Sequence, residues 1–310
     1  MSRIINKQDT MGNIVEKIGN RIVSHTQWYD DYWSGVQKFW HLNQFNLEVI
    51  NLGSNSAKYA FSYDRLGVAG KNWSIGPQSL VHDFNVLKNY FSYLKEKAIV
   101  IIVLVPFSSL DLRYTKKSNL KYYTFLHPAT IIGFEEVERQ KALRIKNSPV
   151  KEMPLLCVKR TLKECIRLVI RKKVSKCDFE HDAHDFISMW KRRTGIEDFD
   201  AELSDRCCEE QEKRSKVLSE MIDFCIERNL RPVIVIPPMH PSLASKFSMK
   251  FRDNYIYSFV TGANRAGVPF LDYMDDKRFA DDRYFRNSFF MSNEGAELFT
   301  KTVLEELEVI

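Results

Sequence analysis

The sequence predicts an α/β protein with a parallel central sheet, and three features carry that prediction. Short runs rich in Leu, Val and Ile recur at 47–52 (LEVINL), 98–105 (AIVIIVLV) and 231–236 (RPVIVI). They are nearly continuous rather than alternating, as suits strands covered on both faces. Segments with helical apolar spacing separate them, which implies parallel strands joined by right-handed crossovers. A small-residue turn, Gly53-Ser54-Asn55-Ser56, joins the first strand to a helix. Turns of this kind at strand ends are where α/β proteins place catalytic or ligand-binding groups, because backbone N–H groups there can meet an oxyanion or phosphate.

The 310 residues, 44% hydrophobic and 28% charged, suit one sizeable core with an accessory region. The longest apolar run, 98–107, is about half of what a membrane-spanning helix requires. Residues 1–20 are polar and charged, with no signal-peptide core. The six cysteines show no metal-ligand spacing, so reduced thiols in a cytoplasmic protein are the expectation. A net charge of +6 permits contact with anionic lipid or nucleotide-linked sugars without selecting either. No P-loop, dinucleotide fingerprint or zinc-finger spacing occurs, so no cofactor, metal or nucleic-acid partner is expected.

Residues 1–46 form an aromatic lead-in, with Trp28, Tyr29, Tyr32, Trp33, Phe39 and Trp40. Aromatic stripes are mostly core, so the expectation is packing on the main domain; a carbohydrate-stacking platform is the sharper reading. After the first strand and its turn comes a helix at 57–63, then a short strand within 67–74. A helix over 77–97 follows, with Leu80, Phe84, Leu87, Tyr90, Phe91 and Leu94 at helical spacing. The strand at 98–105 closes the first half of the main domain, 47–110.

Residues 111–205 read as a helical insertion of higher charge. Within it, Val158, Leu162, Ile166, Val169 and Ile170 share one helical face, and Lys159, Arg160, Lys163, Arg167 and Arg171 populate the rest. The basic helix 155–173 fits either peripheral membrane contact or a cap helix with a solvated outer face. Cys177, Asp178, His181, Asp182, His184 and Asp185 could share a metal, but a solvated acidic helix start is the plainer account. The α/β pattern resumes over 206–310. A helix at 207–229 leads into the strand 231–236, which ends in Pro-Pro-Met-His240-Pro. A helix at 242–266, a strand at 268–271, an acidic loop at 272–292 and a helix at 293–307 complete the chain. The loop carboxylates Asp272, Asp275, Asp276, Asp281 and Asp282 read as solvated charge more readily than as a cation site.

Three segments resemble the SGNH/GDSL hydrolase superfamily, in the branch associated with bacterial surface-polysaccharide loci and DltD-like proteins. They are N-L-G-S-x-S/H-x-x-Y-x-F at 51–61, N-x-x-x-x-x-Q-S-L at 72–80, and D-x-x-H-x-x-x-x-G-A-x-x-F-T, matched with substitutions at 287–300. The resemblance implies a flavodoxin-like three-layer α/β/α fold with a central parallel sheet. It implies a glycan, an acyl carrier or a polysaccharide-assembly enzyme as partner. In the family a serine in the first turn attacks an ester carbonyl, and an Asp and a His three residues later complete the triad. An alcohol is a poor nucleophile until an imidazole takes its proton and a carboxylate orients that imidazole. Here the nucleophile position is Asn55, the histidine position Phe290 and the aspartate position Asn287, and the 272–292 loop holds no histidine. The resemblance therefore implies a non-catalytic relative that keeps the cleft, with Gly53, Ser54, Asn55 and Asn72 as oxyanion-type binding groups. The alternative is an active O-acyltransferase or carbohydrate esterase with relocated residues, Ser54 or Ser56 paired with His240.

Overall fold

Five parallel strands make one sheet in the order β2-β1-β3-β4-β5. They are β1 (Leu47–Leu52), β2 (Gly70–Asn72), β3 (Leu94–Val103), β4 (Arg231–Ile236) and β5 (Phe270–Asp272). This is the flavodoxin-like order expected for a doubly wound sheet. The computed structural model describes residues 7–110, 116–131, 133–169 and 177–310. In chain order the principal helices are α1 (Lys7–Ser24), α2 (Gln27–Tyr32), α3 (Asn55–Ala60), α4 (Leu80–Tyr90) and α5 (Glu136–Asn147). They continue with α6 (Pro154–Val169), α7 (Phe179–Thr194), α8 (Asp205–Glu227) and α9 (Asn293–Glu306). No helix among the described residues is long and apolar enough to cross a membrane.

Alternation along the strands sends successive side chains to opposite faces of the sheet. Val49, Ile99, Ile101, Val103, Val233 and Val235 form one face and share a core with Phe299 and Val303 of α9. Ile50, Val100, Ile102, Ile234 and Ile236, all buried, point the other way. On that side α8 packs on β4 and α4, bringing buried Leu218, Met221, Ile222 and Cys225. Both faces are thus covered, which is why the strands read as unbroken apolar runs. Burial also pushes the Cys225 thiol up to about 12.

Two elements depart from expectation. β3 starts at Leu94 rather than 98, because α4 stops at Tyr90 and a 3-10 turn covers Phe91–Tyr93. Three of the four added residues, Lys95, Glu96 and Lys97, are polar and exposed: Lys95 pairs with Glu48, and Lys97, at φ +59°, donates its N–H to the Asn229 carbonyl (2.8 Å). No apolar signal marks them. The helix expected at 242–266 is broken into Pro241–Ala244, Met249–Arg252 and Ser258–Ala263, with a π turn at Asp253–Tyr257. Ser248 restarts it by accepting the Phe251 N–H at Oγ (3.0 Å), an N-cap.

The chain divides into two compact units, Met1–Leu42 with Thr115–Ser175, and Asn43–Tyr114 with Lys176–Ile310. The aromatic lead-in therefore builds its own unit with 115–175. Tyr29 donates its hydroxyl to the carbonyls of Ile145 and Lys146, Trp40 donates Nε1–H to Thr124, and Phe39 stacks on Phe125. The sheet unit takes α7, which the sequence reading assigned to the insertion. The basic run 170–176 lies outside the described residues.

Within the sheet unit a polar clamp ties β1, β2 and α3 together. Asn51 is fully buried in β1. Its Oδ1 accepts from the Tyr63 hydroxyl (3.1 Å) and its Nδ2 donates to Asn72 Oδ1 (3.0 Å). Burial holds the Tyr63 hydroxyl well above its ordinary range, so it remains a donor. Asn72 Nδ2 donates to the carbonyls of Ala57, Lys58 and Phe61 (3.1, 3.2 and 3.0 Å), and the Ser74 N–H donates to Asn72 Oδ1 (3.1 Å). Removing one side of such a network leaves partners unpaired, at about 1–3 kcal/mol for a buried polar group. Asn72→Ala is expected to lower unfolding stability by about 2–3 kcal/mol, read as a shift in urea midpoint at unchanged m-value. Asn72→Asp is expected to cost more, because it puts an acceptor against three carbonyl oxygens.

Candidate functional site

A cavity of about 220 Å³ lies in the sheet unit where β1 and β3 end. Its geometry starts at Gly53, which has φ +131°, and a Cβ there would come within 2.8 Å of the Ala57 side chain. Only glycine takes that conformation at little cost. The Gly53 N–H donates to Oδ1 of Asp83 (2.8 Å), a buried carboxylate that also accepts from Gln78 Nε2. The Gln78 N–H donates to Ser54 Oγ (3.1 Å), and the Ile75 N–H to the Gly53 carbonyl (3.0 Å). A Cβ on Gly76 would fall 1.5 Å from Asn55 Oδ1, so the Asn55 carboxamide lies directly against the Gly76 backbone.

The cavity has two kinds of wall. Ser54, Asn55, Ser56, Gln78, Ser79 and Ser108 supply hydroxyls and amides beside the Asp83 carboxylate. Opposed in character are Phe107, Phe186, Trp190, Phe289 and Phe290, with Arg193 and Arg214 also lining the space. Helix α7 contributes Phe186, Met189, Trp190 and Arg193, an i, i+3, i+4, i+7 stripe that one helical face must present together. Its register is fixed at both ends. Asp178 accepts the His181 N–H at the N-cap, and Gly195, at φ +72°, terminates the helix.

Phe290 reaches the cavity through a local turn. Asn287 Oδ1 accepts the N–H groups of Phe289 (3.1 Å) and Phe290 (2.7 Å), an Asx turn. Asp182 of α7 accepts the N–H (2.8 Å) and hydroxyl of Ser288. The Phe290 ring then packs on Tyr59 and Phe186, with centroids 5.1 and 5.9 Å away.

The structure therefore brings together Ser54, Asn55, Ser56 and Phe290. The remaining sequence-derived candidates fall elsewhere. Gly53 stands behind the turn with its N–H given to Asp83, and so is not an open oxyanion donor. Asn72 does not line the cavity; its amide is spent on the α3 carbonyls. Asn287 shapes the loop rather than orienting a base.

His240 is also apart. Its Nδ1 accepts the Ser242 N–H (3.3 Å) and lies 2.8 Å from the Ser242 hydroxyl, which donates to the Phe179 carbonyl (3.0 Å). Nε2 therefore carries the proton and donates to Asp282 Oδ1 (3.1 Å). The ring stacks on Phe179 at 3.9 Å. Although Ser242, His240 and Asp282 are the residue types of a triad, this is a helix cap. The hydroxyl is buried and bonded to backbone, and none of the three lines the cavity. No hydrogen bond joins Ser54 or Ser56 to an imidazole among the described residues. Ser79 does meet His82 Nδ1 (2.9 Å), a local contact across the first turn of α4.

The acidic loop is likewise engaged. Asp275 pairs with the buried Arg252 (3.1 Å), which holds its carboxyl below the usual range; Asp276 pairs with Arg278, and Asp272 accepts the Tyr257 hydroxyl (2.9 Å).

Sequence reasoning missed Asp83, Arg193, Arg214 and the α7 aromatic wall. The stripe on α7 was legible as spacing, and Asp83 as a carboxylate in the first turn of a helix that follows a strand. What sequence lacked was any sign that these segments converge.

Two outcomes follow from this geometry. Gly76→Ala is expected to displace the Asn55 amide, so its cost shrinks in an Asn55→Ala background. A double-mutant cycle in urea should give a coupling of about 1 kcal/mol or more. His240→Ala is expected to lower stability by about 1–3 kcal/mol, read as a shift in urea midpoint at unchanged m-value, as a capping role requires. In comparison with known proteins, no family model matches this chain, and no curated protein is similar to it in sequence.

Proposed function

We propose that this chain is a non-catalytic binding protein on an SGNH-hydrolase-like framework, holding a sugar unit of a bacterial surface polysaccharide in the cavity at the β1 and β3 ends. The observation that carries the reading is Phe290. Its phenyl ring stands in the wall beside Ser54, Asn55 and Ser56, where serine acyl transfer needs a proton acceptor. An aromatic wall facing hydroxyls and amides suits a sugar ring, whose C–H faces stack and whose hydroxyls pair. At about 220 Å³ the space is below the roughly 300 Å³ of pockets for drug-sized ligands. It favours a single ring or a short acyl group. Arg193 and Arg214 add a preference for an acidic substituent.

In this reading the protein is cytoplasmic, in keeping with its free cysteines, and meets a glycan, an acyl carrier or an assembly enzyme there. The alternative, an O-acyltransferase or esterase with Ser54 or Ser56 activated by His240, requires an imidazole that reaches a serine. Both His240 nitrogens are already engaged.

A fluorophosphonate probe read by mass spectrometry separates the two. No adduct and no hydrolysis of p-nitrophenyl acetate above background are expected. Stoichiometric labelling of Ser54, Ser56 or Ser79 would overturn the proposal. Saturation-transfer NMR with N-acetylglucosamine and glucuronic acid is expected to show contact that Trp190→Ala abolishes.

A further inference from the structure

Helix α6 is turned the opposite way from an ordinary amphipathic helix. Its inward face carries Cys157, Thr161 and Glu164. Cys157 is buried, with Sγ donating to the Pro149 carbonyl (3.3 Å); Thr161 accepts Trp28 Nε1–H (3.1 Å). Glu164 accepts the backbone N–H groups of Gln27 (2.8 Å) and Trp28 (2.9 Å), fastening α6 to the start of α2. With about 100° per residue, Leu155, Val158, Leu162, Ile166 and Val169 fall on the far side. They are 56–86% exposed. Leu168, which lines a neighbouring groove, is exposed as well. A helix that shows six large aliphatic side chains to solvent, five of them on one face, has an unpartnered apolar face.

The residues beside that stripe decide what covers it. Lys159, Arg160, Lys163 and Arg167 run along one border, and no carboxylate pairs with any of them among the described residues. Glu164, the helix's one acidic residue, points inward. Arg160, Lys163 and Arg167 line a groove of about 510 Å³ with Trp28, Tyr32 and Asp31; its three cations outnumber the carboxylates of Asp31 and the inward-bonded Glu164. Close pairing of two copies through this face would set the same cations against each other, since a two-fold contact juxtaposes identical patches. An anionic bilayer meets both halves at once, with acyl chains for the aliphatic stripe and lipid phosphates for the cations.

We propose that this face of α6 docks the protein onto an anionic membrane surface. The stripe lies in the headgroup–acyl boundary, and Arg160, Lys163 and Arg167 contact lipid phosphates across the groove. The assignment is independent of what the sheet-unit cavity binds.

The test is flotation of the full chain with vesicles of phosphatidylcholine alone or mixed with phosphatidylglycerol. Binding is expected with phosphatidylglycerol and little without it. Lys159→Gln and Lys163→Gln are each expected to weaken partition about fivefold, and Leu162→Glu with Ile166→Glu to abolish it at unchanged circular dichroism and melting behaviour. Equal binding to neutral vesicles, or partition indifferent to these substitutions, would overturn the proposal. So would the alternative occupant: a dimer by light scattering that Leu162→Glu dissociates, with no vesicle binding.

Discussion

The sheet unit depends on one carboxamide. Asn72, the last residue of β2, joins buried Asn51 in β1 to three carbonyls at the end of α3. Helix α3 has six residues, far below the length at which a helix holds itself in water. Its position is therefore set from outside, by Asn72 and by the Ser62 N–H donating to Thr300 of α9 (2.8 Å). Where α3 sits decides where the Gly53–Ser56 turn sits, and with it the floor of the cavity. A residue that looks from sequence like a binding group turns out to be the peg on which the Gly53–Ser56 turn hangs.

The turn itself is then locked from the α4 side. Asp83 takes the Gly53 N–H and the Gln78 amide, while the Gln78 N–H takes the Ser54 hydroxyl as acceptor. In serine hydrolases, loss of the full triad costs about 10⁶-fold, and what remains comes from the oxyanion hole and binding. Here the Gly53 N–H is committed to the Asp83 carboxylate and is not open to an oxyanion. The same bonds make the turn a fixed array of polar groups, with little ordering left to do on contact with a ligand.

The strands 47–52, 98–103 and 231–236 and the parallel order were legible because two-sided burial writes itself as continuous aliphatic sequence. Asn55 and Phe290, which counting along short motifs had singled out, line the same cavity. The first four residues of β3 were invisible: Leu94–Lys97 reads as the tail of a helix because its pairing is held by backbone bonds and surface charge. The break at Ser248 was hidden for a similar reason, since a serine cap inside an apolar run looks like any polar position. Asp83 was missed because its role depends on Gly53 and Gln78, contacts that spacing within one helix does not specify.

The helical unit shows the limit of periodicity most clearly. Spacing tells which residues share a face, not which face is inside. For α6 the spacing left open whether the aliphatic face packs inward or meets a membrane surface. The unit's interior is filled by the lead-in together with 122–145: Tyr29, Trp33, Val36 and Phe39 are buried, as are Tyr122, Leu126 and Ile145, with Tyr29 and Trp33 edge to face. Burial pushes the Tyr29 hydroxyl up to about 12, which keeps it a donor to the α5 carbonyls. Helix α6 is attached through hydrogen bonds that Thr161 and Glu164 accept from Trp28 and Gln27, and Leu155, Val158, Leu162, Ile166 and Val169 remain outside. Periodicity ranks neither segment for the interior; in the folded unit Tyr29, Trp33 and Phe39 lie inside it, and the α6 stripe lies outside.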